Sequence, residues 1–223
     1  LHAGPAVLET FGQEPFSPVY CPESLSFSQA QRDKYVKMRN SSVEITQRYI
    51  PEDERSFTIM DFPVPSVGVH FQEIFRDTIE INTLDSERYR KIQQNLIDVL
   101  DQAQYVRIMG RNGNRTELAV ALHLLENPEK QTNFENCTAD VNIPVGEVFT
   151  SPKLEGTNGI LHVKKVFLEG YEFRDLSITL REGMIADYSC GNFADLAEGR
   201  KYIEENILFR HKTLPIGEFA IGT

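Results

Sequence analysis

Residues 159–188 read GILHVKKVFLEGYEFRDLSITLREGMIADY. Short β-rich runs follow one another here: Gly159–Phe167, Leu176–Arg181 and Met184–Tyr188, with Glu182-Gly183 as a tight-turn pair between the last two. Strands joined by so few residues pair antiparallel, since a parallel pair needs a crossover of about a dozen residues or more. Toward the N-terminus, Glu117–Leu122 and Val145–Thr150 are further strand candidates, and Asn112-Gly113 is a hairpin signal just after Tyr105–Met109. Toward the C-terminus, Ala194–Asn206 reads as a helix and Glu218–Ile221 as a last strand. From residue 105 onward the chain is therefore expected to be mostly antiparallel and β-rich, with one helix.

Upstream the period changes. Ser86 to Ala103 places Tyr89, Ile92, Leu96, Val99 and Leu100 on one stripe, with Arg, Lys, Gln and Asp elsewhere. Val69 to Ile79 reads as a second helix with Phe71, Ile74, Phe75 and Ile79 on one side. Ser26 or Ser28 is a candidate cap for a helix through about Arg39, and a separate short helix spans Val43–Tyr49, ended by Pro51. Ser56–Phe62 is β-rich and closed by Pro63 and Pro65, so strand–helix–helix–strand predicts a layered α/β unit. Residues 1–25, with four prolines, read as irregular chain. The fold class is α/β (α+β): a helix-rich α/β portion over 1–104 and a β-rich portion over 105–223, the boundary falling between Ala103 and Gly110.

Composition narrows the partners. The 223 residues carry a formal net charge of −10, which argues against nucleic acid, because phosphate binding calls for a basic face. No apolar run approaches the roughly 20 residues of a membrane-spanning helix. Cys21, Cys137 and Cys190 are an odd count without paired spacing, which suggests buried or idle thiols in a reducing compartment and a cytoplasmic location. The chain opens at Leu1 and stops at Thr223 directly after an apolar stretch, so it reads as a fragment of a longer protein.

One short pattern occurs twice. Pro144-Val145-Gly146-Glu147-Val148-Phe149 and Pro215-Ile216-Gly217-Glu218-Phe219-Ala220 share Pro, a β-branched residue, Gly, Glu and two apolar residues. Pro and Gly suit a turn that feeds a strand. The Glu then becomes the first strand residue, where a carboxylate losing water needs a cation, several N–H donors or a metal. Two such carboxylates brought together form an oxygen-rich site for divalent cations. Spacing alone leaves this open beside the alternative that both are solvated turn residues.

The stretch from Asn142 to Pro152 resembles the first metal-ligand motif of the thermophilic-type metallo-aminopeptidases (the aminopeptidase T, aminopeptidase S and PepS family), and Leu214 to Thr223 resembles the second. Thr157-Asn158-Gly159, Glu182-Gly183 and Glu198-Gly199-Arg200 lie between them in the family's order. The resemblance implies an exopeptidase that removes N-terminal residues from peptides using two divalent ions, zinc, cobalt or magnesium-like. It assigns Glu147 as a ligand of one metal. It assigns Glu218 as a ligand that bridges both or sits beside the shared water, hence also as the catalytic candidate. The family's two His, its Asp and its catalytic Tyr follow the second motif, and this sequence ends five residues after Glu218. The expectation is thus a parent that self-associates as a homodimer and hydrolyses peptides, and a chain of 223 residues that is itself inactive and binds metal weakly or not at all.

Other candidates are weaker. His70, His123 and His162 lack zinc spacing, and His211 precedes Glu218, so each is expected to be satisfied locally or to lie at the surface. Gly110–Arg115 lacks a phosphate-loop pattern and reads as a turn. Two rival functions remain at this point. One is a non-metal hydrolase using the two glutamates as acid and base. The other is a non-catalytic α/β interaction module.

Overall fold

The computed structural model describes residues 27–51, 59–60, 63–138, 142–143, 146–168, 171–209 and 211–223. Helices dominate the first part: α1 (Gln29–Tyr49), α2 (Phe71–Asn82) and α3 (Ser86–Leu100), with the two-residue strand β1 (Ile59–Met60) between α1 and α2. Strands dominate the rest: β2 (Tyr105–Met109), β3 (Glu117–Ala121), β4 (Glu135–Cys137), β5 (Asn142–Ile143), β6 (Glu147–Thr150), β7 (Lys153–Leu168), β8 (Tyr171–Arg181) and β9 (Met184–Ser189). Helix α4 (Leu196–Asn206) and strand β10 (Phe219–Gly222) complete the order. The molecule is mixed α/β, with its antiparallel strands concentrated after Tyr105.

Five strands form one antiparallel sheet in the order β2-β3-β7-β8-β9. Both hairpin signals act as read. Asn112 and Gly113 have φ of 54° and 82°, and Glu182 and Gly183 have 49° and 70°, the left-handed pairs that match the twist of a hairpin. A side chain at Gly159 would collide with the carbonyl oxygen of Glu117 across the β3–β7 pairing, and its φ of 136° is one that residues with a Cβ avoid. A second sheet, order β10-β6-β4, is antiparallel with β6 in the middle.

The core lies where α3 meets both sheets. Ile97 of α3 is buried with Leu118, Val120 and Leu122 around β3, Val148 of β6, Leu180 of β8, Phe134 and Phe219. The Phe134 and Phe219 rings meet edge-on at 6.2 Å between centroids, an arrangement aromatic pairs favour. A smaller cluster of Phe173, Leu176, Cys190 and Ile203 seats α4 against β8.

Several expectations are corrected. The proposed break between two N-terminal helices is absent: α1 runs unbroken through Asn40-Ser41-Ser42, because low intrinsic propensity is a weak penalty once a helix is nucleated. Its start is fixed by Ser28, whose N–H donates to the Gln31 side chain at 2.9 Å. β1 pairs in parallel with β5, and β2 pairs with β3, so the two strands flanking α2 and α3 do not join into a layered unit. The apolar stripe of α3 is also out of phase. Ile92 and Val99 are 44% and 69% exposed, whereas Gln93 and Ile97 are buried. The strand expected over Ser56–Phe62 lies mostly outside the described residues, as do Cys21 and residues 1–25.

Candidate metal-carboxylate site

Glu147 is the first residue of β6, and Glu218 immediately precedes β10. These strands are hydrogen-bonded neighbours, so the fold joins two motifs some seventy residues apart in the chain. In the register Glu147 faces Gly222, Phe149 faces Ala220, and Thr150 faces Phe219. Residues opposite one another in an antiparallel pair share a face, and alternate residues change face. Val148, Thr150 and Phe219 are buried and define the core side. Glu147, Phe149, Ala220 and Gly222 belong to the other face, and Glu218 lies one residue before the paired strand. Glu147 and Glu218 thus sit at opposite ends of the pairing. Four residues of strand rise separate them, roughly 14 Å between Cα atoms.

Their surroundings differ. Glu147 is half-buried on a central strand. Glu218 is exposed beside β10, an outer strand of its sheet, so the expected loss of water applies to Glu147 and not to Glu218. The backbone around Glu147 is held on several sides. Its carbonyl accepts from Gln93 Nε2 at 2.9 Å, and the preceding Gly146 carbonyl accepts from the Thr223 N–H at 2.6 Å. Gln93 was legible only as a polar member of α3. A signal did exist, since Gln93 sits one helical turn after Tyr89 and one before Ile97, within an otherwise apolar row.

Carboxylate oxygens are hard donors, the kind that divalent ions such as magnesium, manganese and zinc accept. The donor set therefore fits in kind. It is short in number: among the described residues no group of three or more His, Cys, Asp or Glu is arranged to hold a metal ion. The histidines do not add to it. His70, His123 and His211 are exposed. His162 is buried in β7, its Nδ1 accepting from the Arg115 N–H at 3.1 Å and its Nε2 lying 3.4 Å from Asp175 Oδ1.

Gly110–Arg115 forms the turn expected, pinned by Lys164 Nζ donating to the Asn112 carbonyl at 2.9 Å. Of the cysteines described, Cys137 and Cys190 are buried. A separate set of charges joins β9 to α4. Arg200 donates to Asp187 at 2.7 Å and stacks 4.5 Å from the centre of the Tyr188 ring, while the Tyr188 hydroxyl donates to Glu204 at 2.7 Å. The Arg200 hydrogen bond, with a further one from the Tyr188 backbone, holds the Asp187 carboxyl below the usual carboxylate range. Burial first, then the Glu204 contact, pushes the Tyr188 hydroxyl up.

The fold and the paired motifs can be set against known proteins. The chain resembles wild-type AmpT from Thermus thermophilus in structure, with a TM-score of 0.57 at 18% sequence identity, covering 90% of this chain and 52% of AmpT. At that identity the likeness speaks to fold alone, and the chain spans about half the length of the AmpT chain. No curated protein matches the chain at a significant level. A family model described as thermophilic metalloprotease (M29) matches residues 27–223. That span takes in both glutamate motifs and every described residue, and the chain belongs to the thermophilic metalloprotease (M29) family.

Proposed function

We propose that this chain supplies the glutamate half of a two-metal centre that removes N-terminal residues from peptides, with Glu147 and Glu218 as ligands. The observation that carries the reading is the β6–β10 pairing, which makes neighbours of the two strands that follow the glutamate motifs in a metalloprotease family member. When bound, divalent ions supply Lewis acidity toward a peptide carbonyl and lower the pKa of water. The chain's own residues supply the rest. Glu147, on the central strand with its backbone anchored, is a fixed oxygen donor. Glu218, exposed beside the outer strand, is the ligand with room to take a proton on a carboxylate oxygen as water attacks the peptide carbonyl. The remaining donors lie outside the described residues, and the catalytic unit is a longer, self-associating polypeptide.

Two carboxylates without imidazole partners hold zinc loosely. A chelator-competition titration of the 223-residue chain should show weak zinc uptake and no release of amino acid from aminoacyl-p-nitroanilides. In a protein that also carries the missing donors, Glu147→Gln or Glu218→Gln should lower kcat by at least about a hundredfold. Tight stoichiometric zinc binding by the chain alone, or full peptidase activity in both variants, would contradict the proposal.

A further inference from the structure

Gln93 lies in the middle of α3 and is completely buried. A long polar side chain tolerates that position only if its amide is hydrogen-bonded. Its Nε2 donates to the main-chain carbonyls of Cys137 and Glu147, each at 2.9 Å, and lies 2.8 Å from Asn136 Oδ1. An amide nitrogen has two hydrogens, so the three acceptors share them. Asn136 is itself held to the same helix, donating to the Arg90 carbonyl at 3.0 Å and to Gln94 Oε1 at 3.3 Å. On the other side of the amide, Gln93 Oε1 is 3.5 Å from Thr223 Oγ1, the longest contact of the group.

The two carbonyls have a special place in the sheet. Cys137 is the last residue of β4, Glu147 is the first of β6, and the register sets them opposite each other. A single side-chain amide therefore clasps the terminal pair of the β4–β6 ladder and ties it to α3. We infer that Gln93 is the positioning residue of Glu147: it fixes the backbone from which that carboxylate projects, and so sets the approach of the carboxylate to a divalent ion. This inference rests on the metal-ligand reading of Glu147. The physical reason is that ligand sets are sensitive to small displacements, and hydrogen bonds behind a ligand hold it in place. Gln93→Met keeps the length and fills the same space, but removes the donor from two carbonyls in a buried setting.

The test compares the 223-residue chain with Gln93→Met, Glu147→Gln and Ile203→Val, the last a destabilising change in the other core cluster. Two quantities are read: amide hydrogen exchange along the strands by NMR, and Mn2+ affinity from the electron paramagnetic resonance of the free ion. Gln93→Met should lose protection in the β4–β6 ladder while the β7–β8 ladder keeps it. Its Mn2+ affinity should fall on the order of tenfold or more. Ile203→Val should lower the melting temperature and leave Mn2+ affinity unchanged, separating positioning from general loss of stability. If Glu147→Gln weakens Mn2+ binding and Gln93→Met does not, the ligand reading stands and the positioning role is overturned. If Glu147→Gln itself binds Mn2+ like the wild type, the ligand reading has failed and the inference falls with it.

Discussion

Asp187 and Arg200 show how a single pair expresses its chemistry. The carboxyl is held low mainly by the guanidinium hydrogen bond, so its folded pKa lies below its unfolded value of about 3.9. Such a group stabilises the fold above the unfolded pKa and loses that contribution as pH falls through the folded one. Both side chains are substantially exposed, so the contribution is a fraction of a kcal/mol. Chemical denaturation of Asp187→Asn should therefore show a small stability deficit that is constant near neutrality and closes below about pH 4. A deficit that widens on acidification would reverse the assignment. At this scale the sequence was informative where chemistry is local. The left-handed turn pairs at Asn112-Gly113 and Glu182-Gly183 followed from residue type alone. Gln93 did not, because its role depends on two carbonyls more than forty residues away, which no local window contains.

Helix α3 carries the argument at the scale of an element. It joins the core through Ile97 and the β4–β6 ladder through Gln93. Ile97 is 1% exposed, so Ile97→Ala removes buried methyl groups and leaves a cavity, at a cost of about 2–5 kcal/mol. The measurement is a urea denaturation midpoint. Val99→Ala is its comparison: Val99 is 69% exposed, so that change should leave the midpoint nearly in place. Equal losses in the two variants would mean that the buried face of α3 is misassigned. The helix itself was legible from its period, and its N-cap is Asp85, whose side chain accepts from the Arg88 N–H at 3.0 Å. The facing was not legible, because the side of a helix that docks on a sheet end can require an amide donor where periodicity alone asks for an aliphatic side chain. For α1 the difficulty was the opposite: Asn40-Ser41-Ser42 looks like a boundary by composition, yet the helix continues through it.

For the described molecule, the change of period near residue 105 was enough to assign the class, helices first and antiparallel strands after. The recurring Pro-x-Gly-Glu pattern was enough to single out Glu147 and Glu218, but not to show that their strands are neighbours, since pairing across some seventy residues is decided by packing. The register adds what the motif could not: neighbouring strands with the two glutamates at opposite ends, Glu147 half-buried and Glu218 exposed. The central claim is that these two carboxylates act on the same ions despite that spacing. Paramagnetic broadening tests it most directly, with Mn2+ added in small steps to the isotopically labelled chain and amide signals followed by NMR. The account predicts that signals of residues 146–149 and 217–220 broaden together, at the same Mn2+ concentration, and that Glu147→Gln or Glu218→Gln relieves both groups at once. Broadening of one group without the other, or of neither, would contradict it.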